Sequence, residues 1–291
     1  MRWTRGYKSD QVDDRRASGG GGGSSAAGLG ALTWLFSRFG LPGVLVGGVV
    51  LYLTGNLGLG MESRDQDPEQ SVSSAADDPE KDAVSFVSFV LDDVQKSWAD
   101  RFAASQQKYV LSRLVLFRGS TSSACGLGER AMGPFYCSRD RNVYIDLSFY
   151  RELKDRFGAP GDFAQAYVIA HEVGHHVQHL LGLDEKVREA SPRGAQGETG
   201  ASVRLELQAD CLAGIWAHST ERRSLLEAGD IEEALKAAAS IGDDKLQGES
   251  TGTVRPETFT HGSSAQRMRW FKNGYESGKL EACDTFTATQ L

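Results

Sequence analysis

The segment His171-Glu172-Val173-Gly174-His175 has the HExxH pattern, which suits the activation of water on a zinc ion. Two histidines four positions apart on a helix lie one turn from each other on the same face. Both imidazoles can therefore bind one ion, and Glu172 is placed to take a proton from the metal-bound water, whose pKa zinc lowers to about 7. The sequence predicts a catalytic zinc site with His171 and His175 as ligands and Glu172 as general base. The alternative is a helix that carries solvated histidines.

A catalytic zinc usually has three protein ligands and one open position, so a third ligand is needed. His179 lies about 12 Å along the helix axis from the first ligand, and His176 points roughly 100° away from the second, so both are disfavoured. The metzincin pattern requires Gly at position 178 and His at position 181, whereas this chain has Gln178 and Leu181. The third ligand is therefore expected on another element.

Glu206 is the best candidate for the third ligand, because it lies in a hydrophobic segment that predicts a buried helix near 201–219. Asp210 follows one turn later on the same face. Glu206 could bind the metal while Asp210 accepts the N–H of a ligating histidine and so determines its tautomer. The alternative is a pair of surface carboxylates without a metal.

These motifs resemble the gluzincins, in which HExxH is followed on a later helix by ExxAD. That resemblance places Glu206 at the ligand position and Asp210 behind a ligating histidine. A closer resemblance is to a bacterial family called "putative neutral zinc metallopeptidase", and it extends over nearly the whole chain. The two zinc motifs, a Gly-rich stretch and an apolar segment carry part of this resemblance. The other matching segments are Met1-Arg2-Trp3, Val12-Asp13-Asp14-Arg15-Arg16, Cys125-Gly126, Gly133-Pro134-Phe135-Tyr136-Cys137 and Val143-Tyr144-Ile145-Asp146-Leu147. The resemblance implies a zinc peptidase and leaves its natural substrate open.

The segment from Phe259 to Ser264 resembles the His-containing turn that precedes an Arg-bearing helix in gluzincins. By that resemblance His261 steadies the oxyanion of the tetrahedral intermediate, a role worth about 2.7–4 kcal/mol. The alternative is an ordinary loop histidine. Arg267 lies in the helix that follows and corresponds to the arginine of that helix. Its alternative is a simple ion pair with an acidic residue.

The elements that must position these side chains predict a mostly helical α+β domain over residues 83–291, with a small sheet. Helices are predicted at 83–102, 162–181, 201–219, 230–240 and 263–277. Strands are predicted at 109–117 and 142–146, which are rich in β-branched and aromatic residues. Gluzincin-like sites commonly place an edge strand beside the zinc helix, where a substrate backbone can add as another strand. The sequence does not choose between the two strands for that role.

Residues 1–60 hold six basic and three acidic residues, a net charge of +3, so the rest of the chain carries −10 of the total of −7. Such an acidic body argues against a nucleic acid as partner. Residues 1–30 are expected to form a basic, Gly-rich tail, and residues 31–60 a transmembrane anchor. Within the anchor, Leu41–Leu59 has no charged residue, and its 19 residues would span about 28 Å as a helix. Residues 61–82 are polar and acidic and are expected to form a flexible stalk.

Basic residues precede this apolar segment and acidic residues follow it. The positive-inside rule therefore predicts a single-pass protein of the cell membrane, with its N-terminus in the cytoplasm and its catalytic domain outside. A cleaved signal peptide is disfavoured, because the basic region is too long for one. A helical hairpin and a merely buried segment stay open as alternatives, because the stretch is rich in glycine.

The four cysteines agree with an extracytoplasmic location, because an even number in an exported domain favours disulfides. Cys125 and Cys137 bracket a loop-rich segment that a disulfide would pin, and Cys211 and Cys283 could form a second pair. Four cysteines allow three connectivities. A Cys₄ zinc site lacks the CxxC spacing, and a buried free thiol is the alternative for Cys211.

The sequence as a whole predicts a membrane-anchored zinc endopeptidase that acts on a protein or peptide outside the cytoplasmic membrane. One alternative is a non-catalytic, metal-binding envelope scaffold or partner-binding protein. Another is a soluble zinc hydrolase with a different amide substrate. Nothing in the sequence indicates the oligomeric state.

Overall fold

The computed structural model describes residues 1–17, 78–190 and 196–291. Its helices are α1 (Lys81–Ala104), α2 (Ser148–Asp155), α3 (Asp162–Leu180), α4 (Leu183–Ala190), α5 (Ala201–Arg222), α6 (Asp230–Ser240), α7 (Asp243–Thr251) and α8 (Ser264–Ser277), with 3₁₀ turns at Arg130–Met132, Pro256–Thr258 and Leu280–Cys283. Its strands are β1 (Val12–Asp14), β2 (Arg113–Phe117), β3 (Ser120–Ser123), β4 (Gly126–Glu129), β5 (Phe135–Cys137) and β6 (Asn142–Asp146). The prediction of a mostly helical α+β domain with a small sheet is confirmed.

Four of the strands form a sheet in the order β1-β2-β6-β5. β1, β2 and β6 run parallel, whereas β5 is antiparallel to β6, and β3 and β4 form a separate hairpin. Alternation along β2 and β6 sends one set of side chains to the helices and the other to a small second cluster. The two predicted strands correspond to β2 and β6. The remaining strands have only three or four residues each, too few for a clear alternating pattern.

Helix α3 carries the HExxH motif and packs on α1, α5 and α6. Its first turn is capped from outside, because the Glu233 carboxylate on α6 accepts a hydrogen bond from the Phe163 N–H at 3.1 Å. A Cβ at position 161 would lie 1.7 Å from that carboxylate, so Gly161 leaves the space it occupies. α6 therefore stabilises the end of the zinc helix that has unpaired N–H groups.

Two glycines bring α5 and α8 unusually close together. A Cβ on Gly214 would lie 2.1 Å from the carbonyl oxygen of Phe271, and a Cβ on Gly274 would lie 1.9 Å from that of Cys211. Neither position can hold a larger residue unless the helices move apart. This close packing holds α8, which carries Arg267, against α5, which carries Glu206.

Two disulfides close the structure, and both predicted pairs are confirmed. Cys125 is bonded to Cys137 and Cys211 to Cys283, with sequence separations of 12 and 72 residues. The alternative of a free thiol at Cys211 is therefore wrong. The first disulfide attaches the β3–β4 hairpin to β5, and the second attaches α5 to the C-terminal segment.

Replacing both Cys211 and Cys283 by Ala is expected to lower the free energy of unfolding by about 4 kcal/mol, the chain-entropy value for a loop of this length. The Cys125–Cys137 disulfide closes a much shorter loop. Replacing both of its cysteines by Ala is therefore expected to lower the free energy of unfolding by only about 3 kcal/mol. Urea unfolding followed by circular dichroism measures both values. A larger loss for the 125–137 pair would contradict this ordering.

The N-terminal segment belongs to the same compact unit as the rest of the domain, which comprises residues 1–17 and 79–291. β1 forms a parallel ladder with β2, in which Val12 faces Leu114. The Met1 amino group is fully buried and pairs with Asp162 at 2.6 Å and Asp230 at 3.2 Å. Residues 1–17 are therefore part of the domain, whereas the sequence predicted a separate basic, Gly-rich tail over residues 1–30.

The two ends of the segment that contains the predicted anchor lie close together. Arg16 and Glu80 lie on either side of that segment, and their side chains form an ion pair at 2.9 Å. The cytoplasmic N-terminus and the extracytoplasmic catalytic domain stay predictions.

The predicted anchor at 31–60 and most of the predicted stalk at 61–82 lie outside the described residues. Among the helices that the structure does describe, none is both long and apolar enough to cross a membrane.

Candidate metal centre

Helices α3 and α5 bring three predicted metal ligands together. His171 Nε2 lies 3.2 Å from Glu206 Oε2, and His175 Nε2 lies 3.4 Å from Glu206 Oε1. The two imidazole rings are 4.8 Å apart between centroids. One ligand atom from each residue lies within 4.8 Å of the others. The three side chains thus converge on one point, although 31 positions separate the second histidine from the glutamate along the chain.

A glycine in the HExxH motif permits this convergence. A Cβ on Gly174 would lie 3.0 Å from the carbonyl oxygen of Ala209, which comes from the second motif on α5. That separation is tighter than nine in ten real Cβ contacts, so a larger residue at 174 would require Ala209 to shift by a few tenths of an ångström. The small residues at 174 and 209 thus allow the close approach of the two helices that brings the histidines to Glu206.

Asp210 is completely buried and has four hydrogen-bonding contacts. It lies 2.8 Å from His171 Nδ1, and it accepts from the Tyr167 hydroxyl and, at 2.8 and 2.9 Å, from two guanidinium nitrogens of Arg267. Since a carboxylate only accepts hydrogen bonds, His171 must donate from Nδ1. His171 therefore carries its proton on Nδ1 and presents Nε2 towards Glu206. Burial opposes the charged form of Asp210, but the neighbouring Arg267 and His171 outweigh it and hold the pKa of that carboxyl below its usual range.

His175 has an orienting partner of its own. Its Nδ1 lies 2.8 Å from Gln178 Oε1, and the Gln178 amide nitrogen donates to the carbonyl oxygen of Leu205 at 2.7 Å. Since an amide oxygen only accepts, His175 is protonated at Nδ1 and its Nε2 faces Glu206. Both histidines therefore present the same ring nitrogen to one point.

Glu172 lies in a cleft of about 890 Å³ that also holds the three converging side chains. The residue is only 7% exposed, and burial raises the pKa of its carboxyl above the ordinary value. A carboxylate with a raised pKa is a better proton acceptor near neutral pH. The cleft is also lined by β5, the adjoining 130–134 segment and α2.

His261 borders the same cleft and is held by Asp243 at the start of α7. Asp243 Oδ1 lies 3.1 Å from His261 Nδ1, and Oδ2 accepts the backbone N–H of His261 at 2.7 Å. The hydrogen bond from Asp243 raises the pKa of the His261 imidazole. The side chain is about half exposed, at 51%.

The structure separates the disfavoured histidines from the cluster. His179 pairs with Asp184 at 2.9 Å, and His176 bonds to Tyr136 and to the carbonyl oxygen of Val110. Sequence reasoning missed three residues that orient members of the site, namely Tyr167, Gln178 and Asp243. Tyr167 and Gln178 could have been found by helical spacing, at four positions before the first histidine and three after the second. No local signal connects Asp243 to His261.

The donor set fits zinc. Two imidazole nitrogens and one carboxylate oxygen are ligand types that Zn²⁺ binds, and three protein ligands beside an open cleft match a catalytic rather than a closed structural site. The two histidine Nδ1 contacts supply the outer hydrogen bonds that metal-ligating histidines usually have. The residues that would hold the ion are His171, His175 and Glu206.

The fold and this cluster agree with what the chain is similar to. The family described as "Putative neutral zinc metallopeptidase" matches residues 1–286, and the chain belongs to it. The Escherichia coli K12 protein YpfJ, described as uncharacterized, is 46% identical over 288 residues, which cover 98% of this chain and 99% of that protein.

Two mycobacterial relatives match a shorter part. Mb2605 of Mycobacterium bovis and Rv2575 of Mycobacterium tuberculosis, both described as uncharacterized, are 45% identical over 194 residues, or 63% of this chain and 65% of each relative. No solved structure matches the chain at a significant level. Zinc is thus implied by the family, and the described residues contain a group that can hold it.

Proposed function

We propose that the chain is a zinc-dependent endopeptidase. The observation that carries this proposal is the convergence of His171, His175 and Glu206 in one cleft, with the buried carboxylate of Glu172 beside them. A structural zinc site is usually closed by a fourth protein ligand, whereas here the three side chains face open space. The family to which the chain belongs supports the same reaction class.

Zinc bound there would polarise the scissile carbonyl and lower the pKa of water to about 7. Glu172 accepts the proton of the attacking water and then delivers it to the leaving amine, so that one carboxylate serves as base and as acid. Its raised pKa favours the first of these steps, the uptake of the proton. Asp210 and Gln178 keep the two histidines in the tautomer that points Nε2 at the ion.

His261 is placed to stabilise the oxyanion that forms when water attacks the carbonyl. It borders the cleft that β5 also lines, and Asp243 holds it through Nδ1, which leaves Nε2 free to donate towards the substrate. β5 is the terminal strand of the sheet in the described part of the chain, and it also lines the cleft. An extended polypeptide can add to β5 as a further strand, which favours internal cleavage of peptides.

The proposed function is tested with the full-length, zinc-loaded protein and a defined peptide library. We expect internal cleavages that a chelator abolishes and added zinc restores. Mass spectrometry of the products also reads out the residues preferred at the cleavage site. A zinc-loaded protein that leaves the whole library intact would contradict the proposal.

Asp243→Asn is expected to move the alkaline limb of the pH profile of kcat/KM to lower pH. The charged His261 donor is present below its pKa and lost above it, and the Asp243 carboxylate raises that pKa. Removal of the carboxylate lowers the pKa, so the donor is lost earlier as the pH rises. Glu206 and Arg267, the other charged groups that act on His261, stay unchanged. An unshifted alkaline limb would exclude His261 as a charged donor.

For the location, we propose that residues 1–17 and the catalytic unit lie together on the extracytoplasmic side. Two disulfides support an oxidising compartment. The β1–β2 ladder supports a common side for both ends of the 18–78 segment.

Cysteines introduced at the exposed positions Thr4 and Thr289 test this arrangement. In spheroplasts, a membrane-impermeant maleimide is expected to label Thr4→Cys and Thr289→Cys to the same extent as in permeabilised cells. Protection of Thr4→Cys alone would restore the single-pass topology. Protection of both would place the catalytic unit in the cytoplasm.

A further inference from the structure

A chain of hydrogen bonds connects the zinc helix to the terminal strand of the sheet. The Tyr136 hydroxyl on β5 donates to His176 Nδ1 at 2.9 Å, and His176 Nε2 donates to the Val110 carbonyl oxygen at 2.6 Å. A carbonyl only accepts, so the proton must lie on Nε2, and Nδ1 is then free to accept from the tyrosine. His176 thus joins two segments that are not neighbours in the sheet.

The surroundings hold this imidazole rigidly. His176 is completely buried, and the ring of Tyr109 packs edge-on against it at 5.5 Å between centroids. The ring of Tyr136 packs on it at 5.4 Å. Both ring nitrogens of this buried imidazole thus have a partner, one on β5 and one on the backbone at Val110.

The position of this connection gives it a consequence for the cleft. His176 directly follows His175, so its backbone moves with a ligand of the candidate metal centre. Tyr136 is the middle residue of β5, a strand of three residues that is paired on one side, with β6. Its neighbour Cys137 is bonded to Cys125, which holds the end of the strand. The hydrogen bond from Tyr136, together with the packing of its ring on His176 and His179, therefore connects the middle of β5 to the helix that carries two of the metal ligands.

We propose that Tyr136 and His176 are positioning residues that hold β5 at the distance from the metal centre at which a bound peptide backbone can be cleaved. This role rests on the proposed peptidase function, because β5 is the strand to which the substrate is expected to add. Neither residue acts on the reacting atoms. A tyrosine and a histidine that served only the packing of the core would change stability without changing substrate binding.

The test compares Tyr136→Phe with Tyr144→Phe in the full-length protein. The control removes a similar hydroxyl, which donates to Asp140 at 2.8 Å on the other face of the same sheet. Hydrogen exchange of the backbone amides at 135–138 is expected to accelerate in Tyr136→Phe and to stay as in the wild type in Tyr144→Phe. Unchanged exchange in Tyr136→Phe would overturn the proposal, whether or not the protein cleaves peptides.

Kinetics of peptide cleavage test whether the Tyr136–His176 hydrogen bond contributes to substrate binding. Tyr136→Phe is expected to raise KM about 2–10-fold, the effect of one lost hydrogen bond, with little change in kcat and with full zinc content. His176→Leu loses both hydrogen bonds and is expected to raise KM further, whereas His176→Gln keeps a donor and an acceptor and partly restores it. Faster exchange with an unchanged KM would overturn the role in substrate binding. A wild type that binds zinc but cleaves nothing would refute the peptidase function, while the exchange data still decide on the link itself.

Discussion

Glu172→Gln is expected to lower peptide hydrolysis by about 10²–10⁴-fold while zinc stays bound, because the amide keeps the shape of the side chain and cannot accept the proton of the attacking water. The carboxylate lies in the cleft beside the three converging ligands and is only 7% exposed. Its buried position raises its pKa, which suits a group that must take up a proton and release it again. Initial rates at matched zinc content, with zinc measured by mass spectrometry, give the effect.

Glu152→Gln is the matched control for this variant. Glu152 lines the same cleft from α2, but its carboxylate pairs with Arg130 at 3.5 Å and is not part of the ligand group. The control is expected to keep a rate within a few-fold of the wild type. Full activity in Glu172→Gln would contradict the mechanism, because hydrolysis would then proceed without this carboxylate as proton acceptor.

Glu206→Ala is expected to weaken zinc binding by more than the roughly 10–100-fold that loss of an outer hydrogen-bond partner of a ligand costs. The carboxylate provides one of the three converging ligand atoms, and two histidines alone leave the ion with half of a tetrahedral set. Competition with a chromophoric chelator measures the affinity directly. Peptide hydrolysis should disappear with the metal and return only at high zinc concentration.

Asp184→Asn serves as the control for zinc binding. Asp184 also borders the cleft, but its carboxylate pairs with His179, one turn beyond the proposed ligands. The affinity for zinc is expected to stay unchanged in this variant. An undiminished affinity in Glu206→Ala, or an equal loss in Asp184→Asn, would refute the proposed ligand set.

Local periodicity was enough to predict which side chains of the site share a helix face. His171 and His175 are one turn apart on a single helix, and so are Glu206 and Asp210, so that each pair shares a face whatever the rest of the fold does. The hydrophobic spacing around each pair predicted that both helices are buried, and the structure places α3 and α5 in the core. Their convergence was a hypothesis that followed from the need for a third ligand.

Other parts of the site depend on residues that are far apart in the chain and carry no shared pattern. Asp243 holds His261 across 18 positions, and Arg267 reaches Asp210 from α8 across 57. The resemblance to gluzincins suggested a role for His261, but no local feature distinguished His261 or Arg267 from a solvated surface side chain.

The N-terminal segment illustrates the same limit. Its charge pattern indicated a cytoplasmic tail, because the positive-inside rule considers charge and hydrophobicity along the chain. Three backbone positions of β1 nevertheless pair with β2, about a hundred residues later. Pairing between strands has no signature in a short polar segment, so only the assembled sheet could place residues 1–17 in the domain.

The sequence by itself determined the zinc motif, the helices that carry it and the α+β class, and it left the pairing of the four cysteines open. The first three follow from spacing within one helix and from composition, which are local properties. The tertiary structure decided the close approach of α3 and α5 at Gly174, the tautomers of both histidines, and the pairing of β1 with β2 in the sheet. Those features arise from contacts between distant residues, and such contacts exist only once the core has packed.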